Sequence, residues 1–174
     1  MTSDGIDLAL ARIAAEIVER HPSSDSLAIV GIRRRGIFLA QRLSNKIHAI
    51  TGKKVPVGIL DITLYRDDLT TVASWPVLRE TQIDFNVDER PLILVDDVLY
   101  TGRTIRAALD GLIDLGRPKN VQLVVLVDRG HRELPIQADY VGKFEQTADD
   151  EIVEVRLREL DSEERVVVVQ KGRS

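Results

Sequence analysis

The chain has no cysteine, which removes disulfide frameworks, thiolate zinc sites and cysteine nucleophiles together and fits a reducing cytoplasm. It has no apolar run near the roughly 18 residues that span a bilayer. Its N-terminus, MTSDGID, carries neither the basic start nor the apolar stretch of a signal peptide, so no membrane association is expected. Positive charge is not in excess either: 28 acidic against 24 basic residues give a net charge of −4. That excludes the uniformly basic body of a nonspecific nucleic-acid binder, and any phosphate binding must use a local patch. Internal repeats and low-complexity tracts are absent.

What is present describes a folded protein. Hydrophobic residues make up 44% and charged residues 30% of 174 positions, and at about 150 residues per domain that length predicts one domain spanning 1–174. Ile6, Leu10, Ile13, Ile17 and Val18 recur at helical spacing before Pro22. Leu27 to Val30 reads as a buried strand ended by Gly31. A helix follows over 37–50 with Gly52 as its stop, and Val55 to Ile62 reads as a second strand. From about 63 to 89 neither period holds, predicting an extended arm or flap. Leu92 to Val95 is a strand buried on both faces, followed by a polar turn, a helix to Leu115 and a strand over 121–127. Strands alternating with helices predict an α/β fold around a central, mainly parallel sheet. The segments 152–157 and 166–169, either side of an acidic turn, predict a hairpin.

The chemistry should lie at the carboxyl ends of the parallel strands, where helix N-termini point. The most informative segment there is LILVDDVLYTGRT, residues 92–104. Asp96 and Asp97 are read as ending the strand. The turn Tyr100, Thr101, Gly102, Arg103, Thr104 opens a helix, exposing backbone N–H groups and two threonine hydroxyls to an anion at its positive end. A monophosphate fits that turn, and two carboxylates just before it suit the vicinal hydroxyls of a sugar, with Mg²⁺ close by. A lone Asp-Asp pair can equally cap a turn; the whole motif describes a ribose 5-phosphate site. The loop 31–36, GIRRRG, places Arg33, Arg34 and Arg35 between two glycines at a strand end, suited to forked contacts with anionic oxygens. Gly31 and Gly36 have Walker A spacing, but Ile37 and Phe38 stand where Lys and Ser or Thr are required. His21, His48 and His131 have no partner at metal-ligand or triad spacing.

The 92–104 motif resembles the phosphoribosyl pyrophosphate (PRPP) signature of the type I phosphoribosyltransferases. Together with GIRRRG (31–36), LDITLYRDDL (60–69), DLGRP (114–118) and LVDRGHRELPI (126–136), it resembles the PyrR family of bifunctional pyrimidine operon regulators and uracil phosphoribosyltransferases over roughly residues 7–170. The resemblance implies the type I phosphoribosyltransferase fold, a parallel sheet with a hood and a flexible flap. It implies the reaction of uracil with PRPP to give UMP and pyrophosphate, dependent on Mg²⁺ held mainly through PRPP. It further implies a homo-oligomer, dimer or higher, and UMP-dependent binding of pyrimidine operon leader mRNA, by which transcription is attenuated. A protein that is chiefly an RNA-binding sensor of UMP or UTP, with weak catalysis, is the competing expectation.

Carried over residue by residue, the resemblance assigns PRPP binding to Arg33, Arg34, Arg35, Gly36, Asp96, Asp97, Tyr100, Thr101, Gly102, Arg103 and Thr104. Catalysis falls to Asp96, Asp97 and Arg66, the last closing from the flap. The base is expected beside ADYVGK, with Tyr140 stacking, the Val141 backbone reading the base edge, and Lys143 nearby. After that motif the family continues Asn-x-Pro-Thr-Ser, where this chain has Phe144, Glu145, Gln146, Thr147 and Ala148. Arg12 and Arg132 are the expected RNA-binding residues. The family's T-R-I-A-H helix pattern and second Arg of R-E-L-P-I-R-A-D are replaced here at Ala11, Ala15 and Gln137, so weakened RNA binding is expected.

Overall fold

The computed structural model describes residues 1–67 and 81–172. The first helix, α1 (Ser3–Arg20), begins where Thr2 Oγ1 accepts the Gly5 N–H at 3.2 Å, and has Asp4 in its first turn and Arg20 in its last, each matching the helix dipole. Ile6, Ala9, Leu10, Ile13, Ala14 and Ile17 form its buried face. The strand β1 (Ala28–Ile32), buried at every position, leads into α2 (Arg35–Thr51), which stops at Gly52 in the left-handed region. β2 (Val57–Leu60) and a 3₁₀ turn at Thr63–Tyr65 follow. Then come β3 (Pro91–Leu99), α3 (Arg103–Leu115), β4 (Asn120–Asp128), β5 (Tyr140–Phe144) and the antiparallel pair β6 (Glu151–Arg156) and β7 (Arg165–Gln170).

Five strands form one parallel sheet in the order β2-β1-β3-β4-β5. Alternate residues of each strand face opposite layers, and both layers are covered. Ile93 and Val95 pack with α1, α2 and the β6–β7 hairpin, while Leu92 and Leu94 pack with Ile105, Ala108 and Leu112 of α3. Burial on both faces is why the central strands read as unbroken apolar runs. The expected hairpin is present as β6–β7 and is termed the hood. It is held to α2 by Arg42, which donates to both Glu159 oxygens at 2.9 and 2.7 Å and also binds Glu164. Among the described residues no helix is long and apolar enough to cross a membrane.

Two strand boundaries differ from the sequence reading. Gly31 lies inside β1, paired with Val95, because the N-terminus of α2 sits directly against it: a Cβ on Gly31 would fall 2.6 Å from the Gly36 carbonyl oxygen. β3 does not end at Asp96 and Asp97 but continues to Leu99 alongside β4, with Asp96 opposite Val125 and Leu99 opposite Asp128. Its pairing with β1 stops at Val95, so the far half of β3 has a neighbour on one side only. Of the expected flap, residues 68–80 lie outside the described residues. Its ends are docked: the Tyr65 hydroxyl donates to Asp114 at 2.7 Å, Gln82 bridges to Ile59, and Ile83 and Phe85 pack on the α3-side core.

The tightest contact in this layer lies at Gly36, where an added Cβ would meet the Val95 carbonyl oxygen at 2.4 Å, backbone against backbone. Gly36→Ala is therefore expected to cost about 2–3 kcal/mol through overpacking. Thermal denaturation should show it as a melting point lower by roughly 5–10 °C.

Candidate active site

β1 and β3 part company at Val95, and the loop leaving β1 crosses the gap. The Arg33–Arg34 peptide is cis, and the Arg33 N–H donates to the Leu60 carbonyl at 3.0 Å, fixing the loop to β2. Below it a cleft of about 510 Å³ is lined by Arg33, Arg34, Arg35, Asp61, Thr63, Arg66, Asp96, Asp97, Val98 and Thr104. A second cleft of about 350 Å³ shares Arg66, Val98 and Thr104 with it and adds Tyr100, Thr101, Gly102, Arg103 and Glu133. The two clefts thus form one elongated site, with three arginines toward one end, two carboxylates at the middle and the turn opening α3 at the other.

The turn is shaped for an anion. Gly102 precedes α3 with φ of 93°, a conformation natural to glycine, and as the N-cap residue it brings no side chain to the helix N-terminus. Thr101 Oγ1 accepts the Arg103 N–H at 3.3 Å, and the Thr101 carbonyl accepts from the N–H groups of Glu133 and Leu134. Arg103 is held by Asp67 at 2.8 Å and by Glu133; these carboxylates, Glu133 first, raise its pKa further above an already basic value.

The carboxylates differ in setting. Asp96 is 6% exposed and accepts the backbone N–H of its neighbour Asp97 at 2.9 Å. Burial, followed by the adjacent Asp97, holds its carboxyl well above the usual carboxylate range. Asp97 is half-buried and accepts the Val98 N–H at 3.0 Å. On the basic side, Arg33 Nη1 and Arg35 Nε are buried with no hydrogen-bond partner among the described residues. Asp61 stands 3.9 Å from that Arg33 nitrogen and is occupied by Thr63, whose hydroxyl donates to it at 2.6 Å. Asp61 and Thr63 lie in the motif LDITLYRDDL, but only the folded chain shows that they line the site. No group of three His, Asp or Glu side chains that could hold a metal occurs among the described residues.

The expected base residues are placed differently. Tyr140 is 1% exposed: its ring lies under Arg20 at 4.7 Å in the α1-side core, and its hydroxyl donates to Gln122 at 3.0 Å. Stacking on a base is closed to it in this structure, because strand alternation turns Tyr140 toward α1. The Val141 carbonyl accepts from Arg12 at 3.0 Å, and exposed Lys143 pairs with Glu145. None of these three lines either cleft. Gly36 is buried against Val95 and lines neither cleft; it permits the approach of the loop without itself facing a ligand.

The expected RNA-binding arginines are likewise engaged internally. Arg132 donates to the carbonyls of Tyr100, Gly130 and Ile136 and pairs with Asp128, locking its own loop. Arg12 donates to the carbonyls of Val141 and Gly142 and pairs with Glu16, although it remains half exposed. The sequence reading assigned nothing to Arg129. This buried guanidinium sits 4.1 Å over the Tyr100 ring, donates to Thr147 Oγ1 at 3.0 Å and reaches the Glu151 carbonyl at 2.8 Å. It joins the phosphate-type turn to the hood, and no spacing rule would have picked it out. His131 contacts the Tyr100 ring edge and the Thr147 carbonyl, shaping the same junction.

Comparison with known proteins agrees with this geometry. Residues 3–162 match the phosphoribosyl transferase domain model. A bifunctional protein PyrR of Pelotomaculum thermopropionicum is 61% identical over 170 residues, covering 98% of this chain and 94% of the relative. That of Deinococcus radiodurans is 62% identical over 161 residues, covering 92% and 88%. Among solved structures, a hypoxanthine phosphoribosyltransferase of Trypanosoma cruzi superposes with a TM-score of 0.74 at 17% identity over 97% of this chain and 92% of that one, a likeness of fold. On this agreement of sequence and architecture the chain belongs to the phosphoribosyl transferase family, among its bifunctional PyrR proteins.

Proposed function

We propose that this chain, as one domain over 1–174, transfers ribose 5-phosphate from PRPP to uracil, giving UMP and pyrophosphate, and regulates pyrimidine biosynthesis operons by UMP-dependent binding of leader mRNA. The observation that carries the enzymatic reading is the single elongated cleft in which arginines, paired carboxylates and a glycine-led helix N-terminus succeed one another. That order matches the diphosphate, ribose and 5-phosphate of PRPP. The reaction breaks the bond from C1′ to the pyrophosphate oxygen and forms one from C1′ to N1 of uracil, which gives up its proton.

Arg33, Arg34 and Arg35 stabilise charge developing on the departing pyrophosphate; Arg33 Nη1 and Arg35 Nε are buried donors with no hydrogen-bond partner among the described residues. The α3 N-terminus with Thr101 and Thr104 holds the 5-phosphate. Asp96 and Asp97 accept the ribose hydroxyls and place negative charge beside the oxocarbenium-like carbon. Arg66, at the root of the flap, lines both clefts and shields the reacting carbon from water. Mg²⁺ entering with PRPP would lie near the carboxylates Asp96 and Asp97 and would supply Lewis acidity to the leaving pyrophosphate. The fit is supported by Asp96, a buried carboxyl beside Asp97 whose ionised form gains from a cation nearby. A homo-oligomer is part of the same reading.

With PRPP and Mg²⁺ supplied, chromatography of the products should show UMP formed from uracil, with little conversion of hypoxanthine, guanine or orotate. Faster conversion of a purine would overturn the substrate assignment.

Asp96 should trade stability for activity. Its folded-state pKa lies above the unfolded one, so its contribution to stability is complete below the unfolded value and is lost as pH rises through the folded value. Asp96→Asn is expected to lower turnover roughly 10²-fold, about 3 kcal/mol of transition-state stabilisation. The same variant should melt above the parent near neutral pH without ligand, the gap closing as pH falls toward about 4. Rate assays and melting curves across pH test both halves.

Leader-RNA binding should be measurable but weak at physiological salt, given Ala11, Ala15 and Gln137 and the internal engagement of Arg12 and Arg132. A filter-binding salt titration checks this; tight binding with a steep salt slope would show that another basic surface carries the RNA.

A further inference from the structure

Arg35 opens α2 and reaches the turn that closes the β6–β7 hairpin. There its Nη2 donates to both carboxylate oxygens of Asp161, at 3.3 and 3.2 Å. Asp161 is itself immobilised: its Oδ2 accepts the Leu157 N–H at 2.9 Å, and its own N–H donates to the Leu157 carbonyl at 2.7 Å. The surrounding turn is bolted to α2 through the Arg42 contacts with Glu159 and Glu164. Arg35 and Asp97 line the 510 Å³ cleft and also a separate cleft of about 360 Å³ that includes Asp161 and Val153. The ion pair therefore stands in the wall between the arginine loop and the hood.

Asp161 takes one of the three guanidinium nitrogens of Arg35, and Nε has no acceptor among the described residues. A long arginine side chain left to itself samples many rotamers, and ordering it on binding is costly. We propose that Asp161, from the hood, is a positioning residue that holds the Arg35 guanidinium in the cleft wall with donors left over for the diphosphate of PRPP. Asp161 need not touch substrate. It acts through Arg35, and the hood thereby contributes to diphosphate binding as well as covering the site. This rests on PRPP being the ligand of the cleft.

The test is a double-mutant cycle on the full chain, read by calorimetric binding of PRPP and by KM and kcat. Asp161→Asn keeps an oxygen for the Leu157 N–H and loses the charge facing Arg35. The expected result is a roughly tenfold weaker PRPP affinity and higher PRPP KM, with the uracil KM changed by no more than about twofold. In an Arg35→Met background the same substitution should add nothing further. An equal effect in that background, or an unchanged PRPP affinity in Asp161→Asn, overturns the inference. If Asp161→Asn lacks a cooperative melting transition, Arg35→Lys decides: it keeps a charge for Asp161 but loses the planar fork, and an unchanged PRPP affinity overturns the inference. Parent protein that binds no PRPP overturns the reading of the cleft and this inference with it, whereas parent binding with an unaltered variant overturns the inference alone.

Discussion

The N-terminus of α2 presses so closely on β3 that a methyl group on Gly36 would stand 2.4 Å from the Val95 carbonyl oxygen, and one on Gly31 would meet Gly36 and Ile37 at 2.6 Å. Two glycines and a strand edge interlock at the point where β1 and β3 stop pairing. The arginine loop between those glycines consequently lies across the opening, and β3 continues beyond it through Asp96 and Asp97, paired to β4 on one side only. Widening this contact by a single carbon would lift the arginines away from the carboxylates. Position in the site thus follows from backbone packing, and side-chain chemistry is laid over it.

The site leaves buried charged groups unmatched, unlike several arginines elsewhere: Arg42 is matched by Glu159 and Glu164, Arg156 by Glu154 and Glu163, and Arg132 by Asp128 and three carbonyls. In the cleft, two guanidinium nitrogens are buried with no acceptor among the described residues, and Asp96 is buried next to a second carboxylate. Each arrangement costs the unliganded fold stability, since buried polar groups are favourable only when matched. A polyanion with bound Mg²⁺ and vicinal hydroxyls supplies both complements at once.

The hood is an integral part of this arrangement. It shares the α1-side core through Val153, Val155, Leu157 and Val166, is clamped to α2 by Arg42, and reaches the arginine loop through Asp161. On its other side, buried Arg129 bonds to the loop leading into β6 while stacking on Tyr100. Both ends of the elongated cleft are therefore tied to one hairpin, which explains how loops from three different strand ends keep a common geometry.

Much of this was legible in the linear sequence. Continuous apolar runs such as Leu92 to Val95 demand burial on both faces, alternation with amphipathic helices demands a parallel sheet, and such a sheet collects its loops at one edge. The chemistry-bearing motifs 31–36 and 92–104 were recognisable because their functional groups are adjacent in the chain. What only the tertiary structure decided are relations between distant residues. Tyr140 turns into the core because strand register, a property of the β4–β5 pair, sets which face it occupies. Arg12 and Arg132 are taken up by carbonyls supplied by other segments, and Arg129 acquires its place where Tyr100, Thr147 and Glu151 converge. Sequence determines which groups are available and how each segment folds; which of them meet, and which remain unpaired for a ligand, depends on packing between segments far apart in the chain.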